Sequence, residues 1–234
     1  MISKILLIMT SNIYNNFEKL YRKKKEQANN GWQGKNEDLE IINWSKKLLE
    51  KISIQSGKLL ELGCGAGNIS FALTELGFEV TGVDISLTAI DWAREKFKKF
   101  DKVGEFHLST VTDLRMFKSN TFDIAFDSLC FHNLIGEERE KSLKEVYRVL
   151  KNDGYFLMMT MCNNPRNELL KKNFDFNSRY ILFNDVRECY FGTPEMLINE
   201  LEIGNFRVAN HFEIEGNSQS GDQDMFLAIC QKKK

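Results

Sequence analysis

Proline and histidine are scarce in this chain of 234 residues, which has 2 prolines and 3 histidines, and neither sign of charge dominates. The 32 basic and 33 acidic residues leave a formal net charge of −1. A dedicated nucleic-acid binder needs a basic footprint, so we expect no nucleic-acid partner. The apolar run at residues 5–9 is too short for a signal-peptide core or a membrane span, so we expect no membrane partner.

Cys-x-x-Cys pairs are also absent, although the chain has 5 cysteines. They stand at Cys64, Cys130, Cys162, Cys189 and Cys230. Without such pairs or a recognisable secretory leader, we interpret them as reduced thiols and expect a cytoplasmic protein. Cys130, Cys162 and Cys189 raise one alternative, the capture of a soft element such as trivalent arsenic. Buried packing is the commoner role of cysteine, and we predict no metal site.

The most informative segment is an apolar strand at residues 59–62, which runs into Gly63, Gly65 and Gly67 and then into a helix. Glycines at alternate positions let the backbone turn sharply, admit a ligand against the main chain and aim helix N–H groups at an anionic group. A second strand ends in Asp84, about twenty residues after the first glycine, where a carboxylate can accept hydrogen bonds from both ribose hydroxyls. Together the two segments predict a site for a nucleoside cofactor.

The residue after the third glycine separates two kinds of cofactor. A dinucleotide-binding turn, Gly-x-Gly-x-x-Gly or Ala, requires a small residue at position 68, but this chain has Asn68. That departure argues against a nicotinamide-dependent oxidoreductase on a Rossmann-like fold, which stays as an alternative. A cofactor-binding scaffold without catalysis is a further alternative.

The pattern Glu61-x-Gly63-x-Gly65-x-Gly67 resembles the first motif of the class I S-adenosylmethionine-dependent methyltransferases. Segments at residues 80–93, 122–127 and 146–154 resemble that family's ribose-binding strand, its fourth strand, and the helix and turn before its fifth. The resemblance implies an α/β fold with a doubly wound, mostly parallel seven-stranded sheet and a reversed last strand. It also implies S-adenosylmethionine as the cofactor.

Individual residues receive roles from this resemblance. Glu61 would brace the loop beneath the methionine part of the cofactor, Asp84 would grip the ribose, and Ile85 would pack on the adenine. The other cofactor-binding residues that the resemblance implies are Gly63, Cys64, Gly65, Gly67, Thr110, Val111 and Asp127. Thr110 stands where the family usually has an acidic residue, so adenine recognition falls to backbone groups or to Asp113.

The N-terminal region, residues 13–52, has apolar stripes at helical spacing, with a loop around Trp32 between them. It is similar to the thiopurine and tellurite-resistance branch of small-molecule methyltransferases, in which a tyrosine and a following tryptophan loop fold over the cofactor. Tyr21 and Trp32 look like the counterparts, which makes Trp32 the candidate lid residue. An ordinary core stripe is the alternative. We predict that residues 1–55 form a helical cap of the same domain.

Residues 56–234 are predicted to form the methyltransferase domain, with a lid insertion at about 163–192. That insertion is rich in polar and aromatic residues, and so long a stretch between core elements is commonly functional. Its arginines, Arg166, Arg179 and Arg187, are explained either by an anionic acceptor or by ordinary surface pairing. Thr193 and Pro194 then predict the start of a helix. Ser86 is likewise the predicted N-cap of the helix that follows the second strand.

Two polar residues follow the fourth strand, at the edge where a doubly wound sheet binds its ligands. His132 is the candidate catalytic residue, as a general base, and a packing or substrate-lining role is the alternative. Asp127 either binds the cofactor's ammonium group or caps the next turn. The predicted reaction is methyl transfer to a small-molecule acceptor by in-line displacement, in which the protein aligns the nucleophile and excludes water.

Overall fold

The computed structural model describes residues 12–27, 29, 31, 35–184, 186–216 and 223–233. Its helices are α1 (Asn12–Glu26), α2 (Lys35–Leu49), α3 (Asn68–Glu75), α4 (Leu87–Lys99), α5 (Glu137–Val149), α6 (Glu168–Lys172) and α7 (Pro194–Ile203). Its strands are β1 (Gly57–Leu62), β2 (Phe78–Asp84), β3 (Glu105–Leu108), β4 (Phe122–Ser128), β5 (Leu150–Met161), β6 (Tyr180–Phe183), β7 (Val186–Tyr190), β8 (Phe206–Ile214) and β9 (Met225–Lys232).

The main sheet has 7 strands in the order β3-β2-β1-β4-β5-β9-β8. Neighbouring strands in the part of the sheet ordered β3-β2-β1-β4-β5 are parallel to one another, whereas β9 is antiparallel to both β5 and β8. The strand order reverses beside β1, because β2 lies on one side of it and β4 on the other. A crevice at the carboxyl ends of the strands is expected there. The predicted doubly wound sheet with a reversed last strand is confirmed.

Both faces of β1 are covered by helices, which explains its continuous apolar sequence. Leu60 and Leu62 pack on one face in a cluster that includes Val146 of α5. Leu59 packs on the opposite face with Leu73 of α3. Parallel strands are commonly buried in this way, and the burial of apolar surface stabilises them. The glycine turn therefore starts from a rigid, buried strand.

Two helix starts agree with their predicted caps. The Ser86 hydroxyl accepts a hydrogen bond from the backbone N–H of Ala89 at 3.2 Å, at the start of α4. The Thr193 hydroxyl accepts one from the N–H of Met196 at 3.4 Å, and Pro194 follows it at the first helical position. Such caps satisfy backbone donors that have no partner within the helix.

One element boundary was predicted wrongly. The segment 146–154 was expected to contain a helix end and a turn before the fifth strand, but β5 already begins at Leu150, directly after α5. The register between β4 and β5 shifts between Phe122 and Ile124. An irregularity of this kind lets a strand carry extra residues without losing its pairing.

The predicted lid insertion, residues 163–192, contains more regular structure than its sequence suggested, and we call it the lid segment. It holds α6 and an antiparallel hairpin of β6 and β7. Its two ends meet, because the Asn163 N–H donates to the Gly192 carbonyl at 2.9 Å. Its own apolar cluster contains Phe174, Ile181 and Phe191. In none of the described ranges does a helix have the length and apolar character needed to cross a bilayer.

Candidate functional site

The turn after β1 holds its glycines at positive φ, with 68° at Gly63, 53° at Gly65 and 72° at Gly67. Residues with a Cβ are strained in this region. A Cβ on Gly65 would lie 2.6 Å from the Tyr21 hydroxyl, and one on Gly63 would lie 2.7 Å from Cys130 Cβ. A Cβ on Gly67 would instead meet α4, at 3.0 Å. Glycine at 63 and 65 therefore lets the turn pack closely against Cys130 and Tyr21, whereas at 67 it permits packing on α4.

Asp84 ends β2 beside this turn and is 6% exposed. Its Oδ2 accepts a hydrogen bond from the Gly65 N–H at 2.9 Å, and its Oδ1 accepts one from the Ser86 N–H at 2.8 Å. A carboxylate offers about four lone-pair positions, so each oxygen keeps capacity for a ligand hydroxyl. Burial raises the pKa of Asp84 to about 6, against these hydrogen bonds. The group is therefore mainly an anion at neutral pH.

Glu61 lies on β1 and is 1% exposed. The Ser70 hydroxyl of α3 donates a hydrogen bond to Glu61 Oε2. Burial raises the pKa of Glu61 to about 8, so this carboxyl holds a proton at neutral pH. A neutral, hydrogen-bonded carboxyl links β1 to α3 beneath the turn, which fits the bracing role that was predicted for it.

A cavity of about 450 Å³ opens between the glycine turn and the lid segment. The predicted site residues that line it are Tyr21, Glu61, Gly63, Cys64, Gly65, Asp84, Ile85, Thr110, Val111 and His132. Gly67 and Asp127 are not on its wall within the described part of the chain. Asp113, the alternative for adenine recognition, is not on that wall either and pairs with Arg115 at 2.9 Å. Trp32 lies outside the described residues.

Asp127 caps the turn after β4, which is the second of its two predicted roles. Its Oδ1 accepts a hydrogen bond from the Phe131 N–H at 2.9 Å. Burial raises the pKa of Asp127 to about 8, so the carboxyl is neutral at pH 7. Its Oδ2 is buried and has no hydrogen-bond partner among the described residues. The structure therefore shows the capping contact, and the cofactor-binding role stays a prediction.

Helix α1 brings a residue to the site that the sequence analysis missed. Phe17 and Tyr21, about one helical turn apart, line the cavity. Glu18 lies between them, is 5% exposed, and accepts hydrogen bonds from the hydroxyls of Ser86 at 2.7 Å and Thr88 at 2.6 Å. Burial acts to raise the pKa of Glu18, but the hydrogen bonds from Thr88 and Ser86 outweigh it and lower the pKa to about 2. The carboxylate is thus charged at neutral pH.

His132 lies on the cavity wall in the short 3-10 turn Phe131–Asn133 and is 6% exposed. Its Nδ1 is buried and has no hydrogen-bond partner among the described residues. Burial, together with the nearby Arg139, lowers the pKa of His132 to about 3. A general base works best when its pKa lies near the operating pH. This environment argues against the predicted base role and favours the lining role.

Arg139 of α5 is a second residue that the sequence analysis missed. Its Nε and Nη2 each bind a carboxylate oxygen of Glu200 at 2.7 Å, and its Nη1 donates to the Phe131 carbonyl at 2.9 Å. The guanidinium also lies 4.2 Å from the centroid of the Tyr190 ring in the lid segment. Arg139 therefore joins α5, α7 and the lid segment behind the cavity wall.

Beneath the lid segment the cavity wall is mainly apolar. The apolar side chains there belong to Leu134, Met161, Leu170, Ile181, Phe183 and Phe191. Cys130 and Cys189 also line the cavity, but Cys162 is absent from its wall in the described ranges. Burial raises the pKa of Cys189 to about 12 and that of Cys130 well above its usual range, so both thiols stay protonated. No cluster of three or more potential metal ligands is found in the described residues.

The arginines of the lid segment bind protein groups. Their partners are Asp224 and Glu215 for Arg166, the Phe191 carbonyl and Asn164 for Arg179, and the Tyr180 ring for Arg187. As far as the chain is described, none of these arginines lines the cavity. The alternative of structural pairing is therefore favoured over recognition of an anionic acceptor.

Several known proteins that resemble the chain are named as methyltransferases. A methyltransferase domain model matches residues 60–158. An uncharacterized methyltransferase of Staphylococcus carnosus is 28% identical over 194 residues, which are 80% of this chain and 90% of that protein. The demethylmenaquinone methyltransferase of Leptospira interrogans is 34% identical over 149 residues, which are 61% of this chain and 57% of that protein.

A solved structure agrees with these matches. The S-adenosylmethionine-dependent methyltransferase from Methanosarcina mazei superposes on the chain with a TM-score of 0.69 at 26% identity. The superposition covers 80% of this chain and 97% of that one. The likeness therefore extends over the sheet and its flanking helices, beyond the short motifs of the turn.

Proposed function

We propose that the chain transfers methyl groups to a small, uncharged and largely apolar acceptor bound beneath the lid segment. The premise is its class: the chain is a class I S-adenosylmethionine-dependent methyltransferase, and S-adenosylmethionine is its cofactor. The observation that carries the proposal is the cavity, which joins the glycine turn and Asp84 at one end to an apolar wall at the other.

The end of the cavity at the sheet fits an adenosyl group. The first two glycines of the turn leave space that a Cβ would fill, and Asp84 offers an anionic carboxylate to the ribose hydroxyls. We assign the adenine to the side of Ile85, Thr110 and Val111, all of which line the cavity. When bound, S-adenosylmethionine supplies a methyl group on a positively charged sulfur.

The protein's own contribution is to align the acceptor and to keep water out of the cavity. Tyr21 covers the cavity from α1, and Phe183 and Phe191 cover it from the lid segment. His132 remains neutral at physiological pH, so we assign it to the wall against which the acceptor packs. Methyl transfer to an uncharged nitrogen with a free lone pair needs no general base, because the N–H proton leaves to water once the carbon–sulfur bond has broken and S-adenosylhomocysteine has formed, whereas a hydroxyl acceptor would need one.

The acceptor end favours an uncharged molecule. No lysine or arginine appears on the cavity wall among the residues that the structure describes, and the acidic residue at this end is Glu138. An anionic acceptor would lose its hydration there without gaining a cationic side chain of the protein as a partner, and Glu138 would repel it. The demethylmenaquinone methyltransferase relative, by its name, acts on a small molecule, which supports the same class of acceptor.

The narrower predictions from the sequence differ in support. Placement in the thiopurine and tellurite-resistance branch stays a prediction, to which the position of Tyr21 on the cavity wall lends support. The prediction of a metalloid acceptor has less support, because Cys130 and Cys189 at the cavity are protonated and Cys162 does not line the cavity within the described ranges. The predicted cytoplasmic location continues to rest on cysteines that are all free in the structure.

Mass spectrometry of a metabolite extract, incubated with the purified chain and isotopically labelled S-adenosylmethionine, tests the proposal. We expect a labelled product that is uncharged at neutral pH and that is strongly reduced when Asp84→Ala replaces the wild-type chain. A labelled carboxylate or phosphate would contradict the uncharged acceptor, and label in RNA would contradict the small molecule. Failure to label any product, together with binding of a reduced nicotinamide dinucleotide in a fluorescence titration, would favour the oxidoreductase alternative.

A further inference from the structure

Glu18 stands out because a charged side chain on α1 is almost fully buried against the start of α4. We infer that Glu18 is a positioning residue for the cofactor: it fixes α1 across the adenosyl end of the cavity. The inference rests on the proposed placement of the cofactor beside the glycine turn. It adds to the site a residue that does not line the cavity within the described part of the chain.

The contacts of Glu18 converge on the first turn of α4. Its Oε2 accepts hydrogen bonds from the Ser86 hydroxyl at 2.7 Å and the Thr88 N–H at 3.2 Å, and its Oε1 accepts one from the Thr88 hydroxyl at 2.6 Å. The start of a helix favours a negative charge, because its backbone N–H groups are unpaired there. Arg22 adds a bond at 2.8 Å from a side chain that is 65% exposed.

Ser86 connects Glu18 directly to the residue predicted to hold the ribose. The Ser86 hydroxyl donates to Glu18 at 2.7 Å, while the Ser86 N–H donates to Asp84 Oδ1 at 2.8 Å. One residue therefore sets the position of both carboxylates. A shift of α1 that lengthened the first bond would disturb the second.

Glu18 also determines where the neighbouring aromatic side chains lie. Phe17 precedes it, and Tyr21 follows it by about one turn of α1 on the same side. Both rings line the cavity, and the Tyr21 hydroxyl is 2.6 Å from the point where a Cβ on Gly65 would be. An exposed ion pair between Lys25 and Glu95, at 2.6 Å, holds the other end of α1 on α4.

A purely structural contact would not need a charge at this position. Glu18 lies close enough to Asp84 to raise the pKa of that carboxyl, so the arrangement includes a repulsion between like charges. An apolar residue would dock α1 without that repulsion. What the carboxylate adds is direction, because hydrogen bonds to both Ser86 and Thr88 allow α1 only a narrow range of positions.

Isothermal titration calorimetry with S-adenosylhomocysteine, on the full chain, tests this role. We expect Glu18→Ala to raise the Kd about tenfold, which corresponds to about 1.4 kcal/mol. Glu18→Gln, whose amide oxygen can still accept a hydrogen bond, should raise it about threefold. The matched control is Glu26→Gln, an exposed position on the same helix, which should change the Kd less than twofold.

A merely structural role makes a different prediction. It would lower the melting temperature of the unliganded Glu18→Ala protein while leaving its Kd within twofold of wild type, and that result would overturn the inference. If Glu18→Ala does not fold, Thr88→Val carries the test, because it removes one donor to Glu18 and should raise the Kd about threefold. An unchanged Kd in Thr88→Val would then overturn it. Failure of the wild-type chain to bind S-adenosylhomocysteine would count against the proposed function, which separates the two outcomes.

Discussion

At the sheet edge the cavity is built from backbone at positive φ and from buried carboxyl groups, whereas beneath the lid segment it is built from aliphatic and aromatic side chains. The first end depends on glycines at positive φ, where a Cβ on Gly63 or Gly65 would also clash with Cys130 or Tyr21, and on an anion at Asp84. The second end depends mainly on the shape of its apolar side chains, with Glu138 as the acidic residue there. A change of sequence therefore has different consequences at the two ends.

This difference fits separate roles for the two ends of the cavity. A cofactor common to many enzymes needs a fixed cradle, and rigid strands and a helix start provide it here. In the proposed function, acceptor choice is set by the segment inserted after β5, which contributes apolar side chains to the cavity wall. The predictions below test whether the two ends are separable, starting with the residue that anchors the lid segment.

Arg139→Ala should have the largest effect, because Arg139 connects the lid segment to α5 and α7. We expect the free energy of unfolding to fall by about 3 kcal/mol, since removal of one partner of a buried ion pair leaves the other uncompensated. Chemical denaturation measures it. The control is Arg115→Ala, which removes an exposed pair with Asp113 and should cost less than about 0.5 kcal/mol. Equal effects of the two variants would show that Arg139 does not anchor the lid segment.

Asp84→Ala should weaken cofactor binding without changing the acceptor end of the cavity, which tests whether the two ends are independent. We expect it to weaken S-adenosylhomocysteine binding by about 2 kcal/mol, because charge-assisted hydrogen bonds to both ribose hydroxyls are lost. Calorimetry gives the Kd. Asp91→Ala, which removes an exposed carboxylate from α4, is the control and should bind as wild type does. Wild-type affinity in Asp84→Ala would show that this end has been assigned wrongly.

The pH dependence of cofactor binding should report the same carboxylate. Since burial raises the pKa of Asp84 to about 6, the group gains a proton as the pH falls through that value and loses its charge. Affinity for S-adenosylhomocysteine should therefore fall about tenfold between pH 7 and pH 5, the change that a single titration at this pKa produces. Asp84→Asn should show a flat profile over this range. A flat wild-type profile would rule out Asp84 as the titrating group.

Phe183→Ala should have the smallest effect on the cofactor. Phe183 lines the cavity from the lid segment, so its removal should change the Kd for S-adenosylhomocysteine less than twofold, while methylation of the acceptor found by labelling falls. Calorimetry and product formation, measured on one preparation, check both halves of this expectation. A large loss of cofactor affinity would mean that the lid segment and the cofactor end form one unit.

Local sequence signals predicted the glycine turn and the helix cap beside it. Alternating glycines after an apolar strand indicate a turn at positive φ, and Ser86 is a cap because its hydroxyl lies beside the first free N–H groups of α4. Both signals act within a few residues, so a single sequence carries them. The parallel sheet order followed from the resemblance of ordered motifs along the chain.

Long-range contacts explain what the sequence could not predict. Glu18 accepts hydrogen bonds from Ser86 and Thr88, which lie 68 and 70 positions further along the chain. Arg139 donates to Glu200, which lies 61 positions further along. Neither contact leaves a local pattern, since the fold alone brings the partners together. The role of Asp127 was left open for a similar reason, because its burial and its bond to Phe131 depend on packing around β4. The hairpin of the lid segment has short, irregular strands that give little periodicity.

A crystal structure of the chain with S-adenosylhomocysteine tests the central claim most directly. We predict the adenosyl group in the cavity beside Gly63 and Gly65, with both ribose hydroxyls within hydrogen-bond distance of the Asp84 carboxylate. Density for the compound at any other place, with this cavity free of it, would contradict the account.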